Sequence, residues 1–222
     1  MTEYEASPMP FQQETMPPAS AAEYALNFVR LTDEVRQCRA CLRMEGRTRV
    51  LSPANGPVPA AVCFIAEAPG RRGGDRTATP LSGDRSGRNF ELLLAEAGLD
   101  RAAVFITNAV LCNPRDAAGR NAPPHTAEVR NCSRFLAATL DLVQPRVVVT
   151  LGTVALRALA AIASHDVRLA RDVGRVMPWR GCWLVPLYHP GPRAQIHRGF
   201  ALQQEDFRRL GASIARGGPP PV

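Results

Sequence analysis

Residues 61–87 read AVCFIAEAPGRRGGDRTATPLSGDRSG. The stretch begins as a short apolar run, AVCFIA, which stops at Pro69-Gly70 and gives way to a long loop of glycine, arginine and acid. A continuous apolar run of this length, bounded by turn residues, predicts a strand buried on both faces. The loop leaves that strand with a carboxylate at Glu67 and carries a second at Asp84. A chain that brings two acids to the end of a core strand is building either a phosphate cradle or a reactive rim.

The pattern repeats downstream. NFELLLAEAGL reads as a helix capped near Gly98, AVFITNAV (103–110) as a strand, TAEVRNCSRFLAATLDLV as a helix and RVVVTLG (146–152) as a strand. TVALRALAAIA follows as a helix, GCWLVPLYHPGP supplies a further strand and loop, and FALQQEDFRRLGASIA closes as a helix. Upstream, Ser20-Ala-Ala-Glu23 has the spacing of a capping box and opens a helix that runs into CRAC. Apolar strands alternating with helices predict a three-layer α/β/α sandwich around a mostly parallel sheet of about four strands. The predicted organisation is a Pro-rich, disordered tail over 1–19, a single domain over 20–216 and a flexible end over 217–222.

In such sheets ligands bind beyond the carboxyl ends of the strands. That rule gathers Glu67 to Gly70, Thr107-Asn108, Leu151-Gly152 and Tyr188-His189-Pro190 onto one rim. An acid, an amide and an imidazole converging there form a site hypothesis from topology alone.

The chain has 222 residues, 45% of them hydrophobic, enough for one well-buried core. Its 27 basic residues, all arginine, outnumber 20 acidic ones for a net charge of +7. Arginine forks match phosphate, so the surface favours a polyanion, although a compositional bias toward arginine gives the same count. No apolar window is long enough to span a membrane, and the acidic N-terminal stretch lacks the features of a signal peptide, so a cytoplasmic protein is expected.

Six cysteines divide into two kinds. Cys63 and Cys182 sit in apolar strands and read as small core residues. Cys38 and Cys41 form C-x-x-C, Cys112 opens a proline-bearing loop and Cys132 lies in the next helix. Four thiols in that arrangement favour a metal site over a redox pair, with zinc and an iron-sulfur cluster both open.

If the rim accepts a flipped base, cleaving an N-glycosidic bond requires a carboxylate to support an oxocarbenium-like sugar and a water, and donors for the departing base. Asn108 can match the N3–H and O4 edge of uracil, and His189 can donate to O2 as charge builds there. The chain contains no lysine, which removes Schiff-base lyase chemistry through that side chain.

These residues carry a specific resemblance. AEAPG, TPLSGDRSG, FITNAVLCNP, VVVTLG and YHPGP, with CRAC upstream and Cys132 downstream, resemble the iron-sulfur uracil-DNA glycosylases of families 4 and 5 over roughly residues 31 to 212. The resemblance implies catalytic roles for Glu67, as in family 4, or Asp84, as in family 5, together with Asn108 and His189. The run around Asp84 matches family 5 over the longer stretch, so Asp84 is expected to matter at least as much as Glu67. A base pocket walled by Ala66, Ala68, Pro69, Gly70, Leu81, Ser86, Gly87, Asn108, Gly152 and His189 is implied. So is a [4Fe-4S] cluster on Cys38, Cys41, Cys112 and Cys132. The loop carrying Pro190, Gly191, Pro192, Arg193, Ile196, His197 and Arg198 is expected to contact DNA. A monomer acting on uracil-containing DNA, hydrolytically and without lyase activity, is the expectation.

The chain departs from its relatives at Ala66, where family 4 has glycine, at Leu81, where the base-stacking aromatic stands, and at Gly191, where serine is usual. Two rival readings follow from the same residues. One is a DNA-binding or damage-sensing protein of the same fold with little excision activity. The other is a nucleotide hydrolase using EAPGRRGG as a phosphate cradle, disfavoured because no P-loop or dinucleotide glycine pattern is present.

Overall fold

A computed structural model describes residues 21–216. The expected tails and the Ser20 cap lie outside the described residues. Among them, strand β1 (Val62–Ala66) is buried at every position, as an apolar strand covered on both faces must be. It is followed by α2 (Gly74–Thr77), α3 (Arg85–Glu96) and β2 (Phe105–Asn108). After these come α4 (Thr126–Val143), β3 (Val147–Leu151), α5 (Thr153–Ala160) and α6 (Leu169–Asp172). A hairpin of β4 (Met177–Trp179) and β5 (Cys182–Leu187) precedes α7 (Phe200–Ala215), while α1 (Ala21–Gln37) leads the chain.

The sheet order is β2-β1-β3-β5-β4. The first four strands are parallel, and β4 pairs antiparallel with β5. This is the expected α/β sheet with one strand more. The extra strand is three residues long and contains Pro178, which is tolerated because it lies at an edge. Its turn is the two-residue Arg180-Gly181, both at positive φ (47° and 73°), the hairpin geometry that matches strand twist. Brevity and an internal proline hide such a strand from an apolar-run reading.

Two apolar layers flank the sheet. One face packs Cys63, Ile65, Phe105 and Val148 against α1, α4 and α5 through Phe28, Phe135, Leu140 and Leu156. The other packs Phe64, Ile106, Val149 and Val185 against α3 and α7 through Phe90, Leu93, Phe207 and Leu210. Strand β1 hands the chain to β2 through α3 on the second face, and β3 hands it on through α5 on the first. Adjacent strands whose connections leave in opposite directions open a crevice at their carboxyl ends, and the crevice here lies between β1 and β3.

Three phenylalanines close the second layer. Phe64 meets Phe90 edge-on with ring centroids 5.2 Å apart and stacks parallel to Phe207 at 6.1 Å. All three are fully buried. Replacing Phe64 by alanine is therefore expected to cost about 3–5 kcal/mol, read as a lowered urea midpoint with an unchanged m-value.

Candidate active site

The crevice is a cavity of about 630 Å³, within the ~300–1,000 Å³ typical of small-molecule sites. Glu67, Ala68, Pro69 and Gly70 line it from the end of β1, Leu151 and Gly152 from β3, and Tyr188 and His189 from β5. Leu81 and Asp84 close it from the loop before α3, Ser86 from the first turn of α3, and Arg193, Ala194 and His197 from the loop after β5. The rim rule thus gathers three of the four expected segments onto one cavity wall.

The fourth is set back. Asn108 ends β2 level with Ala66, in the next strand over from Glu67, and is only 1% exposed. It is not among the cavity-lining residues, yet its Nδ2 is buried without a hydrogen-bond partner. A buried amide left unpaired is costly unless a partner arrives from outside the fold.

The carboxylates occupy unlike environments. Glu67 continues the β1 ladder by its backbone carbonyl, which accepts from Val110 N at 3.1 Å. Its side chain lines the cavity, and burial pushes its pKa up, against the opposing pull of Arg193 and Arg157. Asp84 is the N-cap of α3, its Oδ1 accepting from Gly87 N at 3.0 Å. Its Oδ2 sits where a Cβ on Gly73 would lie 2.5 Å away and one on Gly70 2.7 Å away. Those two glycines of PGRRGG therefore leave space for a carboxylate. The sequence places the start of α3 at Asn89; Asp84 starts it four residues earlier at Arg85 because it satisfies the first-turn donors.

Leu81 stands at the cavity with φ of 46°, a left-handed conformation that side chains rarely adopt. Arg101 holds that turn from behind, donating to Pro80 O at 2.5 Å and to Leu81 O at 3.4 Å. With leucine here, Tyr188 is the aromatic ring that the cavity wall offers.

His189 is neutral. Burial lowers its pKa to about 4, against a raising influence from Asp84. Its Nδ1 accepts from Gly191 N at 2.9 Å, which leaves the ring proton on Nε2. A Cβ on Gly191 would lie 2.8 Å from Nδ1 and 3.0 Å from Ser86 Oγ. Glycine in place of the usual serine lets the backbone turn tightly under the imidazole.

In the following loop, Ile196 projects into solvent at 82% exposure. Pro192, Arg193 and His197 are exposed around it, and Pro190 and Gly191 are buried beneath. Arg198 is committed elsewhere: its guanidinium grips the buried Asp206 through two hydrogen bonds of 2.5 and 2.6 Å. It braces the loop and is not free for a partner.

Residues not singled out from the sequence complete the wall. Asn113, Pro114, Asn121 and Ala122 reach the cavity from the loop between Cys112 and Cys132. Asn113 Nδ2 donates to Pro69 O at 2.6 Å and to Asn121 Oδ1 at 3.1 Å, and the same Oδ1 accepts from Arg71 N at 2.9 Å. Arg115 pairs with Asp75 and binds Asn113 Oδ1 at 2.7 Å. Asn113 and Pro114 close the FITNAVLCNP run, but nothing in that run announces that their side chains reach the cavity.

That loop borders the cysteines. Cys41, Cys112 and Cys132 pack around Met44 and Val110 in a small apolar cluster of their own, and Cys38 adjoins the main core. None of the four is joined in a disulfide. Burial pushes Cys112 up to about 12 and Cys132 to about 11, and proximity to each other or to Cys38 and Cys41 adds to both shifts. Among the described residues no three His, Cys, Asp or Glu side chains converge closely enough to hold an ion as they stand. The donor set nonetheless has the chemistry of a thiolate-ligated cluster: Cys38, Cys41 and Cys132 are near enough to act electrostatically on Cys112, with Asn131 Nδ2 3.3 Å from Cys41 Sγ and the Leu111 N–H directed at Cys132. Arg43 locks the C-x-x-C turn to α4 through Glu128 at 2.8 and 2.5 Å. Burial would raise Glu128, but Arg43 and the His125 N–H hold it below the usual range. Cys63 is buried in β1, as expected of a core residue, whereas Cys182 at the start of β5 is only half-buried against the core.

Comparison with known proteins agrees with this geometry. The family model described as Uracil DNA glycosylase superfamily matches residues 53–211. A type-4 uracil-DNA glycosylase of Thermotoga maritima is 31% identical over 161 residues, covering 72% of this chain and 79% of that protein. One from Sulfurisphaera tokodaii is 26% identical over 186 residues, 82% of each chain. A type-5 uracil-DNA glycosylase of Pyrobaculum aerophilum is 33% identical over 153 residues, 63% of this chain and 65% of that protein. With relatives of both types and a match spanning the whole sheet and its cavity, this chain belongs to the uracil DNA glycosylase superfamily.

Proposed function

We propose that this protein excises uracil from DNA by hydrolysing the N-glycosidic bond, leaving an abasic site. The observation that carries the reading is the pairing, across one cavity, of an acid whose carboxylate has no hydrogen-bond partner among the described residues, Glu67, with a histidine whose Nδ1 is already occupied, His189. A flipped base entering between Leu81 and Tyr188 would bring its polar edge toward the unpartnered amide of Asn108. Glu67, ionised, stabilises the cationic sugar and orients water, while the Nε2–H of His189 donates to O2 of the departing base. A neutral imidazole suits that task because it stabilises developing charge without giving up its proton early.

This reading assigns the reacting carboxylate to Glu67. Asp84 positions: its oxygens cap α3 and fill the space over Gly70 and Gly73. Glu67→Gln is expected to lower kcat on uracil-containing DNA about 10²–10³-fold. Asp84→Asn keeps a capping oxygen for Gly87 N and is expected to retain its stability, whereas Asp84→Ala should lose about 1 kcal/mol, as removal of an N-cap does; each should lose less kcat than Glu67→Gln. Asn108→Ala should raise KM and lower kcat together. An Asp84→Asn protein that folds normally but loses as much kcat as Glu67→Gln would reverse the assignment. Absence of alkali-labile sites with the wild-type protein would leave a DNA-binding protein of the same fold.

The pH dependence follows from the two shifts. The acid limb of kcat should report Glu67 and lie above the usual carboxylate range, because burial raises it. His189 does not limit that limb, since it stays neutral down to about pH 4. For stability, a histidine depressed in the folded state binds fewer protons than the unfolded chain between pH 6.5 and about 4. Its contribution is therefore complete above 6.5 and lost as pH falls toward 4, so the Tm difference between wild type and His189→Asn should narrow over that window.

We further propose that Cys38, Cys41, Cys112 and Cys132 hold a [4Fe-4S] cluster. When bound, it supplies iron to neutralise four thiolates and to tie the C-x-x-C turn to the loop that carries Asn113. Anaerobically purified protein should be brown, with iron and acid-labile sulfide in equal amounts. Zinc without iron would overturn the assignment.

A further inference from the structure

A second concavity, about 510 Å³, adjoins the cavity and shares Asp84, Ser86 and Asn121 with it. Its other walls are Arg71, Arg72, Gly83, Arg85, Arg88 and Arg120. Most arginines that meet an acid elsewhere on the surface serve the fold, such as Arg43 on Glu128, Arg115 on Asp75 and Arg198 on Asp206. Arg120 pairs with Asp116. Arg71, Arg72, Arg85 and Arg88 differ: all four are exposed, and among the described residues none has an acidic partner.

Gathering unpaired guanidinium groups into one cleft costs like-charge repulsion, which an anion would relieve. The acid within the cleft, Asp84, is turned inward, with Oδ1 on Gly87 N and Oδ2 over Gly70 and Gly73. That leaves the first-turn N–H groups of Arg85 and Ser86, at the start of a 12-residue helix, beside the arginines.

We propose that this cleft binds consecutive phosphates of the DNA strand that carries the excised base, on one flank of the flipped nucleotide. The proposal rests on the uracil-excision reading. Continuity is the argument for a strand over a free nucleotide: the two concavities meet at Asp84 and Ser86, so a chain that places one base in the first runs its backbone past the second. The loop after β5 faces the cavity from another side, so the strand is held on two sides of the base.

The test compares wild-type protein with Arg71→Ala/Arg72→Ala and Arg85→Ala/Arg88→Ala, measuring the Kd for a uracil-containing oligonucleotide across a salt series. Each arginine–phosphate pairing removed should make the slope of log K against log salt shallower by about 0.7–0.9. Each double variant should bind about tenfold or more weakly at low salt. The matching Arg→Lys variants keep the charge and should keep the slope, and Arg30→Ala, on an exposed position of α1, should match wild type. Shortening the strand on one flank should weaken the wild type stepwise and each double variant by less, since each keeps only two of the four arginines. An unchanged slope in both double variants, with excision by wild type intact, overturns the cleft alone; no excision by wild type overturns the reading beneath it. A nucleoside triphosphate bound as tightly as the oligonucleotide would also overturn the proposal.

Discussion

The carboxylate of Asp84 is the pin around which the functional end of this molecule is assembled. One oxygen satisfies the first turn of α3, and the other occupies the space that Gly70 and Gly73 leave open. The loop after β1 folds back around that acid, and the fold-back shapes the wall carrying Pro69 and Gly70. The same residue stands between the base cavity and the arginine cleft and bears on His189. The side chain of Glu67 carries no such hydrogen-bonding commitments among the described residues. What sets the two acids apart is their surroundings, not their spacing in sequence.

A second tie couples the cysteine loop to the cavity. Asn113 follows Cys112 directly and donates to Pro69 O, while Asn121 reaches Arg71 N and Arg115 anchors on Asp75. The loop that brings one thiol to its neighbours thus also fixes the carbonyl beside Glu67. Arg43 and Glu128 secure the other approach by joining the C-x-x-C turn to α4. Whatever orders the four sulfurs will be felt at the cavity wall through amides and guanidinium groups.

Much of this was legible in the chain. Apolar runs ended by turn residues gave four parallel strands, and the carboxyl-end rule brought Glu67, Gly152 and His189 to one cavity because β1, β3 and β5 are neighbours. The antiparallel β4 escaped because three residues with a proline carry no periodic signal. Asn108 was placed on the rim by the same rule, but β2 lies on the far side of β1, which sets the amide back from the wall. Arg198 looked like a partner-facing cation; its acid, Asp206, lies in the next helix at a spacing that no motif announces. The walls from Asn113 to Ala122 were illegible because a long loop's path depends on tertiary hydrogen bonds, which local sequence does not encode.

The loop after β5 has a mechanical character. Asn89 Nδ2 holds Pro190 O at 2.7 Å on one side, and Arg198 clamps Asp206 on the other. Between these footings the chain rises to Ile196. A span fixed at both ends behaves as an arch: a push on its crown is carried as compression into α3 and α7 instead of being lost as bending. Ile196, at that crown, is thus held out in solvent by footings on two different helices.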